Sequence, residues 1–150
     1  MNWIIRTATT EDLPALVDFN CAIARESEGK ELIREVVTRG VSRGLLQGDE
    51  VAYYVVDNGH GPIGCLMLTR EWSDWRDGWL AWVQSVYVKP QYRGQGVFRM
   101  LLNHVRDKLR EQPDVVGMRL YVEAENTRAQ TVYRNTGFVD PNYLVLEQIF

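Results

Sequence analysis

The sequence predicts an α+β (mixed α/β) domain: a central, twisted, mixed but mainly antiparallel sheet of about six to seven strands, flanked by about four helices. Three observations lead there. Two helical stripes follow a short first strand. Three strand-like segments then run in succession between residues 51 and 88, joined by short turns, which is the pattern of a meander. A strand–helix–strand run comes next, the connection that parallel neighbours require. The 150 residues fit one domain, 1–150, with a sizeable core and no repeat, low-complexity tract or linker.

Each element has a local reason. "WIIRTA" reads as a strand, and "TTED" offers a helix start in which Asp12 stands three residues after the cap Thr9. Leu13, Leu16, Val17, Ile23 and Ala24 share one face of the first helix, which "ESEG" interrupts. Leu32, Ile33, Val36, Val37 and Val41 predict a second helix over about 30–46. "VAYYVVD" and "IGCLMLTR" form a hairpin around "NGHGP". "EWSDWRDGW" reads as a polar, tryptophan-rich turn into the long strand "LAWVQSVYV". Val97, Phe98, Leu101, Leu102, Val105 and Leu109 mark one stripe of a third helix. "VVGMRLYVEA" is a strand, Asn126 caps a short fourth helix that Gly137 stops, and "YLVLEQIF" reads as a final strand.

Composition narrows the function. Net charge is −3 and no Lys/Arg block stands out, which argues against a nucleic-acid partner. No apolar run has the length of a membrane span, and the N-terminus lacks the pattern of a signal peptide. Cys21 and Cys65 sit in apolar settings and read as reduced core residues of a cytoplasmic protein. His60 and His104 form no ligand spacing with them, so no metal is expected.

The chemistry concentrates in "QYRGQG", between the long strand and the third helix. Glycine lets backbone approach a ligand closely, and the first amides of a helix have no partner within it. Together they make an anion site, most often for phosphate. A Walker loop would continue with Lys-Ser/Thr, whereas Val97 and Phe98 follow here; a dinucleotide fingerprint would need a third glycine. The segment "VYVKPQYRGQGVFRMLL" instead resembles the acetyl-CoA-binding segment of the GNAT superfamily of N-acetyltransferases. That family's pattern is Gln or Arg, two residues, Gly, one residue, then Gly or Ala, which Gln91, Gly94 and Gly96 match. Its second signature is similar to "ENTRAQTVYRNTGF", through Asn126, Ala129, Tyr133, Gly137 and Phe138.

The resemblance implies an acetyl-CoA-dependent enzyme, an N-acyltransferase, that moves an acetyl group to a primary amine by direct attack in a ternary complex. It implies coenzyme A contacts at Val86, Tyr87, Val88, Gln91, Arg93, Gly94, Gln95, Gly96, Val97, Phe98, Asn126 and Tyr133. The amides from about Arg93 to Val97 would hold the pyrophosphate. The pantetheine arm would lie between the Val86–Val88 and Leu120–Glu123 strands. Tyr133 stands where family members protonate the leaving sulfur, and the Val88 N–H is the matching oxyanion donor. Gln84 falls where several members carry a catalytic Glu; glutamine takes up no proton, but it can position a water or the amine. Glu123, Glu71, Glu26 and Glu28 are further acids that could serve as base.

Glu26, Glu28, Trp72, Trp82 and Gln84 are the expected acceptor residues, because carboxylates and aromatic faces suit a cationic amine. A small-molecule amine, loosely as in the diamine acetyltransferases, is the expected substrate. A non-catalytic acyl-CoA sensor, motivated by Gln84, and a protein or peptide N-acetyltransferase are the alternatives. The last strand and the exposed aromatics make a homodimer the expected assembly.

Overall fold

The computed structural model describes residues 2–150. The elements run β1 (Ile4–Thr7), α1 (Leu13–Glu28), α2 (Arg34–Gly44), β2 (Ala52–Asp57), β3 (Pro62–Ser73), β4 (Gly78–Val88), α3 (Val97–Arg110), β5 (Val115–Leu120) and α4 (Thr127–Asn135). Sheet order follows chain order, β1 to β5. The first three pairings are antiparallel. β4 and β5 are parallel, with α3 as the crossover.

Strand alternation divides the core between the two faces of the sheet. Val56, Leu66, Leu68, Ala81 and Val83 meet Val97, Leu101 and Val105 of α3. Tyr53, Val55 and Cys65 meet Leu16, Val17 and Phe19 of α1 and Val41 of α2. Leu16, Leu66, Leu101 and Leu102 are fully buried.

The predicted class is found, with five corrections. Five strands form the sheet among the described residues, not six to seven. Among the described residues, Tyr143–Phe150 has the apolar composition of a strand but pairs with none, because a strand needs a neighbour's ladder as well as a suitable sequence. α1 continues through Glu28, and α2 begins only at Arg34, since Lys30–Ile33 is the return stretch that sets the two helices side by side. β3 and β4 extend into the tryptophan segment, where Trp72 and Trp79 pair across the strands with rings 5.0 Å apart, leaving only residues 74–77 as the turn. β5 stops at Leu120, short of the predicted Ala124.

An ion network fastens the first strand. Arg6 donates to both oxygens of Asp12 (2.7 and 2.9 Å) and to Asp57 on β2 (2.8 Å). Asp12 also accepts from the Thr9 N–H at 2.7 Å, closing the helix start that "TTED" announced. The Arg6 hydrogen bonds hold both carboxyls below the ordinary aspartate range. Asp12→Ala is expected to cost about 2–3 kcal/mol at neutral pH, read by urea unfolding, since it removes charge-assisted bonds to a buried carboxylate. With folded values below the unfolded ones, both carboxyls contribute fully above about pH 4, and the contribution is lost as pH falls through the folded values. The gap between wild type and Asp12→Ala should therefore narrow on acidification.

Candidate active site

The site begins with one extra residue in β4. Met67 faces Gln84 while Cys65 faces Tyr87, so three steps on β4 answer two on β3. Ser85 is the bulged residue, with φ 51° in the middle of the strand. Ala81 and Val83 face α3 before it, and Val86 and Val88 pack on the same core after it. The bulge thus shifts the alternation by one. Bulges also bend the strand that carries them. Pairing between β4 and β5 ends at Val83 opposite Leu120, just before the bulge. Beyond that point Lys89 N–H donates to Ile63 on β3, so by alternation the Val86 and Val88 amides point to the open side.

β4 runs into a short 3-10 turn (Pro90–Tyr92) and then the glycine loop. Gly94 and Gly96 have φ 74° and 83°, and a Cβ at either position would meet nothing within 4 Å. Glycine is needed there for its backbone angle, and the loop surface stays open. α3 starts at Val97 with no side-chain cap, which leaves its first amides directed outward. The Arg93 N–H is committed to the Pro90 carbonyl at 3.2 Å, so the free donors begin at Gly94, one residue later than expected. Gln95 reaches back to the Gln91 carbonyl at 3.0 Å and stiffens the loop.

The Arg93 side chain turns away from these amides. It donates to the Val88 carbonyl (2.8 Å) and to Glu26 at the end of α1 (2.8 Å), and it lies over the Tyr87 ring. Burial alone would raise the Glu26 carboxyl; the Arg93 and Tyr87 hydrogen bonds outweigh it and hold Glu26 low. Glu26 therefore straps α1 to the loop. Glu28 is exposed at the last turn of α1.

Tyr133 lies on α4, whose start is capped by Asn126 accepting from Ala129 N–H at 3.1 Å. Its ring packs edge-on between Phe98 in the first turn of α3 (5.6 Å) and Phe138 (6.0 Å). Burial raises its phenol, which keeps the proton on the oxygen at neutral pH. Tyr133 also lines a cavity of about 950 Å³ together with Trp72, Trp82, Glu71 and Arg119. Glu71 accepts from the Trp82 indole N–H at 2.8 Å and from Arg119 at 3.0 Å. These donors, Trp82 first, pull its carboxyl below the ordinary glutamate range. An ionised, doubly bonded Glu71 is a poor base and a good electrostatic anchor.

Of the acceptor residues expected from sequence, Trp72 and Trp82 line this cavity, while Glu26, Glu28 and Gln84 do not. Gln84 instead donates its amide to the Thr69 hydroxyl across the strands. Sequence reading missed Arg119 and Tyr121 as cavity residues. Their alternation along the predicted strand was visible; that its pairing would end at Leu120 was not.

Comparison with known proteins follows this geometry. Residues 15–138 match the profile of the family described as "Acetyltransferase (GNAT) family". An uncharacterised N-acetyltransferase of Methanocaldococcus jannaschii is 23% identical over 137 residues, 91% of this chain and 60% of that protein, so the chain spans less than two thirds of that relative's length. A crystal structure from Clostridium difficile, described as a "possible acetyltransferase", superposes with a TM-score of 0.92 at 38% identity, over 100% of this chain and 99% of that one. A "predicted acetyltransferase" from Clostridium acetobutylicum, solved with acetyl-CoA, gives 0.79 at 19% identity over 97% and 96% of the two chains, a likeness of fold.

The bulge can be tested by itself. Ser85→Val is expected to cost about 1–2 kcal/mol in urea unfolding, because a β-branched residue is disfavoured at positive φ. Ser85→Gly should be neutral or stabilising. Equal stability of the two variants would remove the positive angle from the account.

Proposed function

Because the chain belongs to the GNAT acetyltransferase family, we propose that it transfers an acetyl group from acetyl-CoA to a primary amine of a small molecule, by direct attack in a ternary complex. The observation that carries this reading is the placement of Tyr133. It packs against Phe98 at the start of α3 and lines the cavity of Glu71 and Trp82. One protonated phenol thus stands between an anion-binding helix start and an aromatic, carboxylate-bearing pocket.

The residues fit the cofactor that the family uses. The Gly94–Phe98 amides would hold its pyrophosphate, with Gln91 and Gln95 shaping the loop. The outward Val86 and Val88 amides, Tyr87 beside them and Asn126 across the gap would hold its pantetheine arm. When bound, acetyl-CoA supplies an activated acyl carbonyl. The Val88 N–H would stabilise negative charge on that oxygen, and the Tyr133 Oη–H would supply a proton to the leaving sulfur.

Gln84, fixed by Thr69 through its nitrogen, keeps its carbonyl oxygen as an acceptor for the amine or a water. An alkyl ammonium has a pKa near ~10 and must lose a proton before it attacks. With Glu71 held ionised by its donors, water positioned by Gln84 is the route for that proton. Trp72 and Trp82 give the acceptor flat apolar walls and Glu71 a negative anchor, which supports a cationic small amine. The buried Cys65 thiol, pushed up to about 12 by desolvation, is unsuited to be an acylated nucleophile, and this supports direct attack. Both cysteines are buried and free, which supports a cytoplasmic setting. The exposed apolar segment after α4 supports a homodimer.

Thermal unfolding with acetyl-CoA, ATP and NAD tests the cofactor. A shift with acetyl-CoA alone is expected, about 2.7 kcal/mol at 100 times its dissociation constant, and Gly94→Val should abolish it. Tyr133→Phe is expected to lower kcat about 100-fold or more across an amine panel while leaving KM for acetyl-CoA little changed. No shift with acetyl-CoA would sink the transferase reading; a shift without turnover of any amine would favour the sensor.

A further inference from the structure

β5 stops pairing with β4 at Val83, and at Val88 a side chain stands in its place. Val88 lies opposite Gly64 on β3, and the next residue, Lys89, gives its N–H to Ile63 there. Residues of an antiparallel pair alternate in direction, so Val88 turns both its N–H and its C=O to the open side. A bare edge of this kind offers a ligand a donor and an acceptor side by side. The Val88 carbonyl is not bare. It accepts from Arg93 Nε at 2.8 Å, which leaves the N–H as the group on offer.

Arg93 is held in this place from two further directions. Its Nη2 donates to Glu26 at 2.8 Å, and its guanidinium carbon lies 5.3 Å from the centre of the Tyr87 ring. Tyr87 also hydrogen-bonds to Glu26, and its ring rests on Phe19 of α1 with centres 5.2 Å apart. The Arg93 and Glu26 side chains are 43% and 41% exposed, so their pairing adds little to stability while it orders two long side chains. Its consequence is placement. An uncovered carbonyl beside the Val88 N–H would set a partial negative charge next to the oxygen which that N–H is to receive. A guanidinium bonded to the carbonyl offsets this charge and fixes the residue from which the N–H projects.

We infer that Arg93 is a positioning residue: held by Glu26 and Tyr87, its guanidinium takes the place of the missing β5 ladder at the Val88 carbonyl, so that Val88 presents an N–H alone to the acyl oxygen. In this assignment the Arg93 side chain touches neither the diphosphate nor the acyl group and acts through Val88. The inference rests on the transferase reading above, in which the Val88 N–H is the oxyanion donor.

The test is steady-state kinetics with whichever amine the wild type turns over fastest. Arg93→Ala is expected to lower kcat about tenfold, with KM for acetyl-CoA changed less than about threefold and the urea unfolding midpoint close to wild type. Methylguanidinium added to this variant should restore part of the lost kcat, which a merely structural role would not allow. Glu26→Ala leaves the arginine and removes its anchor; it should lower kcat about threefold and gain nothing from methylguanidinium. A raised KM at unchanged kcat in Arg93→Ala would make Arg93 a phosphate contact and overturn the inference, and so would an unchanged kcat. If Arg93→Ala does not unfold cooperatively, Glu26→Ala decides, and an unchanged kcat there overturns the inference. These failures, in a wild type that acetylates an amine, leave the transferase reading standing. A wild type that turns over no amine would remove that reading and this inference with it.

Discussion

The Ser85 bulge is the constraint on which the rest of the site depends. Without it, β4 would pair with β5 along its length, and every amide of Val86–Val88 would be spent inside the sheet. One inserted residue bends the strand, ends the pairing at Val83 and still returns Val86 and Val88 to the α3 core. The positive φ carries a cost, and the surroundings hold it in place: Gln84 is tied to Thr69, and the Cys65 thiol donates to the Ser85 carbonyl at 3.3 Å. The burial that makes Cys65 unreactive is the same burial that lets it brace the bulge.

Around this opening the charges are arranged by magnitude and place. The Arg6 hub is structural, since Asp12 is buried and bonded from two sides. The Arg93–Glu26 pair is close to half-exposed on both partners, and such pairs contribute about 0–1 kcal/mol. Its significance is orientation: it draws the arginine beside the glycines toward α1, so the proposed anion site would consist of amides and a helix start rather than a side-chain cation. A diphosphate held by backbone needs a shape more than a set of side chains.

Much of this was legible in the sequence. The two glycines, the Asn126 cap and the stripe of α3 all stand where pattern and spacing placed them. The phase change from Ala81 and Val83 to Val86 and Val88 was also written in "LAWVQSVYV", but a single-residue slip in alternation is easily read as one continuous strand. Other features depend on geometry that local pattern does not encode. Arg93 was adjacent to the phosphate loop in sequence, yet it has a better partner in Glu26, far away in the chain. Glu71 looked like a surface acid in a turn; the long β3–β4 hairpin carries it to Arg119. Tyr143–Phe150 has every local property of a strand, and only a partner could make it one.

Two titratable groups of the cavity, Glu71 and Tyr133, are pushed in opposite directions, and this division shapes the proposed chemistry. Glu71, with indole and guanidinium donors, keeps its negative charge; Tyr133, desolvated among aromatic rings, keeps its proton. An acid that donates and an anion that anchors thus stand within one pocket, each held by its environment more firmly in the form its residue type already takes at neutral pH. Gln84 fits that arrangement. A glutamine at this position can orient the nitrogen without adding a second negative group. In the proposed reaction proton removal would fall to solvent, and the protein's share of the work would be to hold the amine still, fix its charge at Glu71 and offer the departing sulfur a proton from Tyr133.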